Sequence, residues 1–426
     1  MRWPRRIFYG WWIVGASIGL QALVSGLFSQ AYGAYVVVLK DHFGWSQTTL
    51  SGASSLAQVE SGLLGPIQGA LVDRLGARTV VRVGIVFFSA GFLAFSQVNS
   101  PVTFYLSFFL IAIGSSLAGF LTLTIAVVKW FDERRTTALG VSATGFGLGA
   151  LLVPLVVVSL DQLGWRGTAM AASLAAIVVG LPLAQLVRDK PRPAVGDLAP
   201  GEVAGQGTET DEDADSPDFT LREAMRTPSF WYISAGHGSA LLVVSAVQVH
   251  LISHVIERLG YSLGQASLIV VLMTILQLSG QIGGGIAGDR FNKRAVSVVC
   301  MIMHATALLS LAYATGLAMV MAFAVLHGLA WGTRGPLMGA IRADYFGRRH
   351  FGAIMGFSQF LVMVGQISGP LVAGVLYDLS GSYEPGFTVL AVMALLGSLF
   401  FVAATRPDPP ARVQAREAAG LVTGPD

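Results

Sequence analysis

The chain has 426 residues, 54% hydrophobic and 12% charged, with a formal net charge of +3 and a mean hydropathy of +0.65. That balance lies far from a soluble globular average and indicates a multi-span membrane protein. The basic residues form no patch interleaved with aromatics, so no nucleic-acid partner is expected, and the single cysteine, Cys300, excludes a disulfide framework or a Cys-based metal site.

The chain opens with Arg2, Arg5 and Arg6 and then a long apolar stretch without a short apolar segment ending at a cleavage site, so the start reads as a retained first helix. Runs long enough to cross roughly 30 Å of hydrocarbon at ~1.5 Å per residue fall at 9–38, 46–72, 79–97, 102–128, 137–160 and 166–187. After an interruption they resume at 229–256, 263–288, 295–313, 317–342, 351–377 and 386–404. They are continuous rather than alternating, which predicts helices and not a barrel. The expected fold is an all-α membrane protein of 12 transmembrane helices in two pseudo-symmetric six-helix bundles, 1–187 and 228–404. Between them, residues 188–227 carry Pro191, Pro193, Pro200 and the acidic run 208–218, a composition that reads as a flexible linker with at most a short helix over 219–226. The stretch 405–426 reads as a tail.

Lys and Arg resist transfer across the membrane during insertion. Only Lys40, Arg166 and Arg258 fall at one set of span ends, and Arg334 falls inside a span; the other cations, Arg342 among them, fall at the opposite ends. Both termini, the linker and the tail are therefore expected in the cytosol, in the plasma membrane, and few Lys beside many Arg suits a bacterial inner membrane.

The strongest internal signal is a repeat. Gly69, Asp73, Arg74 and Arg78 match Gly285, Asp289, Arg290 and Arg294 in the pattern Gly-x-x-x-Asp-Arg-x-x-x-Arg, and Gly140, Gly149 and Pro154 match Gly356, Gly365 and Pro370 at the same offset. Two similar membrane halves are a common transporter architecture, with the substrate held between them. With Gly76 in its first copy, this run between the second and third spans resembles the cytosolic signature of the major facilitator superfamily. Asn292 replaces Gly76 in the second copy, an exchange expected to be tolerated because Asn adopts positive φ more readily than most residues. Within the superfamily, Tyr9-Gly-Trp-Trp-Ile13, Lys129-Trp-Phe-Asp-Glu-Arg-Arg135 and Asp344-Tyr-Phe-Gly-Arg-Arg349 resemble the monocarboxylate transporter and oxalate:formate antiporter group.

The signature carboxylates can pair with cations and with helix N-termini of the opposite half when the inner side is closed. Asp73, Arg74, Arg78, Asp289, Arg290 and Arg294 are thus candidate gating residues, or merely markers of the inner face. Arg334 lies about ten residues before the end of the tenth span, near the midplane, where a permanently charged planar fork suits a carboxylate. His327 and Trp331 share its face at i−7 and i−3. The resemblance implies that the first, fourth, seventh and tenth helices line the cavity. His237 in the seventh span and Gln21, with Ser17 and Ser25, in the first are candidate cavity walls. Glu60, roughly 20 Å before Asp73, is a candidate proton carrier, a counter-ion to Arg334 or a structural acid; His237 is a second proton-coupling candidate. The resemblance leads one to expect an anion-binding Arg in the eighth helix, where this chain has Gln277 and Gln281, and a mid-helix lysine in the first, where Lys40 stands too far out. The helix-4 basic residue of some drug antiporters is also missing.

No phosphate-binding loop with Gly-x-x-x-x-Gly-Lys-[Ser/Thr] occurs, and no enzyme activity, metal or cofactor is expected. The expected function is secondary transport by alternating access of a small organic anion, a carboxylate, through proton symport or exchange for a counter-anion, by a monomer in the lipid bilayer. The alternatives are efflux of an apolar or cationic compound, which requires Arg334 to be neutralised by Glu60, and a transport-inactive sensor.

Overall fold

In the computed structural model the structure describes residues 8–189 and 218–410. Most of the linker with its acidic run, the first seven residues and the last part of the tail lie outside the described residues.

The first half comprises α1 (Gly10–Leu27) and α2 (Tyr32–Phe43), which form one interrupted span, then α3 (Gln47–Leu75) and α4 (Ala77–Phe95). Next come α5 (Pro101–Ala118) and α6 (Phe120–Trp130), a second interrupted span broken at Gly119, followed by α7 (Arg135–Leu148), α8 (Val153–Ala175) and α9 (Leu181–Leu186). After the short α10 (Leu221–Met225), the second half runs α11 (Pro228–Leu259), α12 (Leu263–Arg290), α13 (Lys293–Ala312), α14 (Leu317–Phe346), α15 (Phe351–Ser380) and α16 (Glu384–Ala403). Among the described residues ten helical stretches are long and apolar enough to cross a bilayer. One of them, Arg135–Leu186, is divided at Gly164, where φ is 67° and ψ 172°, and α3, with 29 residues, is long enough but diluted by serines and Glu60. Together these make 12 spans in a multi-pass membrane protein.

Helix starts follow capping chemistry. Ser46, Ser100, Thr227 and Ser262 each accept a hydrogen bond from the backbone two or three residues into the following helix, satisfying donors that the helix itself cannot. Large apolar side chains such as Leu63, Leu106, Leu155, Leu371 and Leu399 remain exposed on the outside, as lipid rather than water demands. Inside, the buried apolar residues form two clusters, one built from the first half plus Ala340, Ala343, Phe351 and Met355, the other from the second half. Those four residues, from α14 and α15, tie the halves together at the end that carries the Asp-Arg signatures.

Along the halves' mutual face, α3 packs on α15 and α7 on α12. A Cβ at Gly69 would overlap the Gly352 carbonyl, and one at Gly140 the Gln281 carbonyl. The absence of a side chain at these positions lets backbones approach closely.

One sequence expectation is corrected. Asn292 has φ −60°, not a positive value, and its side chain accepts hydrogen bonds from the N–H groups of Arg294 (3.0 Å) and Ala295 (3.2 Å). Gly76, at φ 82°, has no side chain to do this, and Asp189 caps Arg78 N–H instead at 3.1 Å. The exchange therefore moves a cap from a distant aspartate into the turn. The described ends of the stretch 188–227 pack against the two halves. The guanidinium of Arg188 stacks 3.9 Å from the Tyr9 ring centroid, while Asp218 accepts from Arg348 and Arg349 N–H at 2.8 Å and Phe219 N–H donates to Phe346 O at 2.9 Å. A Thr220–Glu223 capping box then starts α10, the short helix that the sequence predicts.

Candidate functional site

Two groups of polar residues stand out: one at the signature end, between the halves, and one inside the second half.

At the signature end the repeat is realised as reciprocal capping. Asp73, at the end of α3, accepts from the N–H groups of Gly352 (3.3 Å) and Ala353 (2.8 Å) at the start of α15. Asp289, at the end of α12, accepts from Thr136 and Thr137 N–H, both at 2.8 Å, at the start of α7. The acceptors and the donors are related by the same 216-residue shift that separates the paired residues Asp132 and Arg348. A carboxylate at a helix N-terminus meets both unpaired N–H groups and the positive end of the helix dipole. Asp73 also holds Lys129 at 3.1 Å. A chain of charges crosses the interface beside these caps: Lys293 to Asp344 (2.8 Å), Asp344 to Arg135 (2.6 Å), Arg135 to Asp132 (2.9 Å) and Asp132 to Arg348 (2.9 Å).

The signature arginines do something else. Arg78 donates to Val187 O (2.6 Å) and Gln185 O (2.7 Å), and Arg294 donates to Phe401 O (3.2 Å) and Val402 O (2.6 Å). Each satisfies C-terminal carbonyls of the last helix in its own half and bridges nothing between halves. Arg74 and Arg290 are exposed and have no partner among the described residues. Of the six signature residues, the two aspartates contact helix N-termini of the opposite half, and the four arginines make no contact across the interface among the described residues.

Inside the second half, α14 carries Arg334, 1% exposed, with Nε and Nη1 unpartnered. His327, two turns earlier, is fully buried, and its Nδ1 lies 3.2 Å from Nδ1 of His304 on α13, so one ring donates to the other; both Nε2 atoms are unpartnered. Trp331 is half-buried with its ring centroid 6.3 Å from that of His327. His237 on α11, 7% exposed with Nδ1 unpartnered, is within electrostatic reach of Arg334 and of Arg342. Arg334 and His327 thus share α14, with His304 of α13 against His327 and with His237 of α11 within electrostatic reach of Arg334. On the face of α14 that carries Trp331, a Cβ at Gly335 would meet nothing within 4 Å, whereas one turn further on Gly339 faces Leu139 and Thr124 of the first half.

The remaining predicted residues are engaged elsewhere. Gln21 donates to Ser142 O (2.9 Å) and Ser142 Oγ (3.2 Å) on α7, so the helix-1 polar stripe is packed between helices. Gln277 and Gln281 lie where α12 meets α14 and α7, with their carbonyls beneath Gly332 and Gly140. Glu60, 4% exposed, accepts from Ser116 Oγ at 3.0 Å through Oε2, and Oε1 has no partner. Glu60 and Arg334 form no ion pair, so the counter-ion reading of Glu60 does not describe this conformation.

Sequence reasoning missed two members of the buried cluster. Arg342, counted there with the surface cations, is 1% exposed, and its guanidinium donates to Met338 O (2.8 Å) and Ser358 Oγ (2.5 Å). His304 sits in an apolar run and is identified only by its contact with His327.

Comparisons agree with this architecture. Two overlapping stretches, residues 18–265 and 240–424, match the model of the Major Facilitator Superfamily. The rat monocarboxylate transporter 13 is 26% identical over 399 residues, 92% of this chain and 87% of that protein. The oxalate:formate antiporter of Oxalobacter formigenes is 25% identical over 355 residues, 82% of this chain and 80% of that protein. Among solved structures, the fucose:proton symporter FucP of E. coli superposes with a TM-score of 0.71 at 14% identity, covering 93% of this chain and 98% of that one. The chain belongs to the Major Facilitator Superfamily.

Proposed function

We propose that the protein is a secondary transporter that moves a small organic anion, a carboxylate, by alternating access between two six-helix bundles, 1–187 and 228–404. The observation that carries this reading is Arg334: a guanidinium that stays charged at any physiological pH, is enclosed by the second half, and has two nitrogens without a partner. Intramembrane charges of this kind mark a substrate path, and an anion supplies what the site lacks. The names of the relatives, a monocarboxylate transporter and an oxalate:formate antiporter, support the same substrate class. The absence of a Glu60–Arg334 pair disfavours efflux of a cation.

His327, braced by His304, fixes the wall beside Arg334, and Trp331 with the open space at Gly335 shapes the cavity. Glu60 carries the coupled proton, or the anion is exchanged for another. Asp73 and Asp289 close the signature end, assigned to the cytosolic side with both termini because nearly all cations gather there. The membrane is a bacterial inner membrane and the working unit a monomer.

The test is uptake of radiolabelled small carboxylates into proteoliposomes, with and without an inward proton gradient, by the wild type and Arg334→Gln. Uptake lost on substitution supports the reading; uptake that survives Arg334→Gln, or none by the wild type, rejects it.

A further inference from the structure

Arg334 shares the interior of the second half with Arg342. The acids of that half among the described residues, Asp218, Glu223, Glu257, Asp289, Asp344, Asp378, Glu384 and Asp408, all lie in loops or near helix ends. Among the described residues neither buried arginine has a carboxylate partner. Arg342 is held on two sides, by Met338 O and by Ser358 Oγ, and Ser358 is itself bonded to Ser234 of α11 at 2.8 Å; its Nε is left unpartnered. It also lies seven residues beyond Gly335 and eleven beyond Trp331, on the face of α14 that borders open space at Gly335. His237 is within electrostatic reach of both arginines.

We propose that Arg334 and Arg342 form one two-station site for a dianion, so that the protein selects short dicarboxylates over monocarboxylates. This rests on the reading of Arg334 given above. Two arginines bring two permanent charges into an interior where an uncompensated charge is costly. A monocarboxylate neutralises one and leaves the other; a dicarboxylate neutralises both. Eight residues of helix set the two Cα atoms roughly 12 Å apart, a span that two arginine side chains and a short dicarboxylate can bridge. Ser358 and Ser234 act as positioning residues that aim the Arg342 fork.

The test is binding to the purified full-length protein at about pH 8, where both carboxyls of a dicarboxylate are ionised, with succinate, glutarate and butyrate as probes in titration calorimetry. Succinate or glutarate should bind the wild type at least about tenfold more tightly than butyrate. Arg342→Gln should bring the dicarboxylates down to the level of butyrate while weakening butyrate itself far less. Equal binding of mono- and dicarboxylates by the wild type, or a preference that survives Arg342→Gln, overturns the two-station site but leaves Arg334 as an anion site. Failure of the wild type to bind any of the three overturns both. Should Arg342→Gln not fold, Ser358→Ala decides: selective weakening of succinate supports the proposal, and equal or no weakening of both classes overturns it.

Discussion

The two Asp-Arg signatures look alike in sequence and cap alike in structure, yet their electrostatics differ. Asp73 shares its charge between the start of α15 and the ammonium of Lys129, whereas Asp289 faces the start of α7 with no ion-pair partner among the described residues. Position 345, which corresponds to 129 under the 216-residue shift, is a tyrosine whose Oη donates to Ala404 O at 2.8 Å. The first half anchors its last helix differently, through Trp130 Nε1 to Arg188 O at 2.7 Å, and so leaves position 129 free to carry a cation. One side of the proposed inner gate is thus a cap reinforced by an ion pair, and the other is a cap alone. Separation of the halves strips both aspartates of their caps, but Asp73 keeps Lys129 while Asp289 keeps nothing comparable.

This difference predicts a ranking. Spin labels placed on Arg74→Cys and Arg290→Cys in a Cys300→Ser background would report the separation of the halves, because both arginines are exposed and lie in opposite halves. Asp73→Asn should open the signature end most, by about 3 kcal/mol, since it weakens two charge-assisted hydrogen bonds and leaves unpaired an ammonium that is partly buried while the halves are closed and solvated once they part. Asp289→Asn should open it by about 2 kcal/mol, having no ion pair to lose. If Asp289→Asn shifts the distance distribution as far as Asp73→Asn, Lys129 contributes nothing and the two ends are equivalent after all.

How far the sequence foretells this depends on whether a contact is local or long-range. The 12 spans, the two halves and the break before α11 follow from hydropathy and from Pro and Ser positions that act within a few residues. Arg334 is legible because a lone cation in the middle of an apolar run has no surface to reach. Arg342 is not, because it stands four residues before the end of α14 and reads together with Arg348 and Arg349 as a surface cluster; only Ser358, from the next helix, reveals that it turns inward. His304 and His327 belong to different helices and show no spacing that would pair them. Arg78 and Arg294 carry the same motif as the aspartates but serve helix ends within their own half, a division that a motif cannot express.

The charge chain from Lys293 through Asp344, Arg135 and Asp132 to Arg348 lies outside the caps and is more open to solvent, with Asp344 and Asp132 side chains 35% and 47% exposed. Exposed pairs contribute little and are screened by salt. Asp344→Asn breaks two links at once and should open the signature end by about 1 kcal/mol at low salt. The shift should fade toward zero near 1 M salt, where the Debye length is roughly 3 Å, while the Asp73→Asn shift persists because its pair is shielded. Equal salt dependence for the two variants would place the caps and the chain in the same solvent environment and remove the distinction between them.

The finest test supplies the missing cation. Tyr345→Lys puts an ammonium at the position equivalent to Lys129, where Asp289 can receive it. The substitution removes the hydrogen bond from Tyr345 to Ala404 O, but both of those residues belong to the second half, so that loss lowers the stability of the half without biasing how the halves meet. The new pair also lies within the second half, so it favours closure only to the extent that the closed interface shields it from water; with about 0.5 kcal/mol as the full worth of a partly exposed pair, the closed population should rise by at most about twofold, with a lower unfolding temperature beside it. The gain must vanish in the double variant Tyr345→Lys, Asp289→Asn, since it acts only through that carboxylate. A gain that survives there, or a shift toward the open state, would mean that the two signatures differ for a reason other than the cation at position 129.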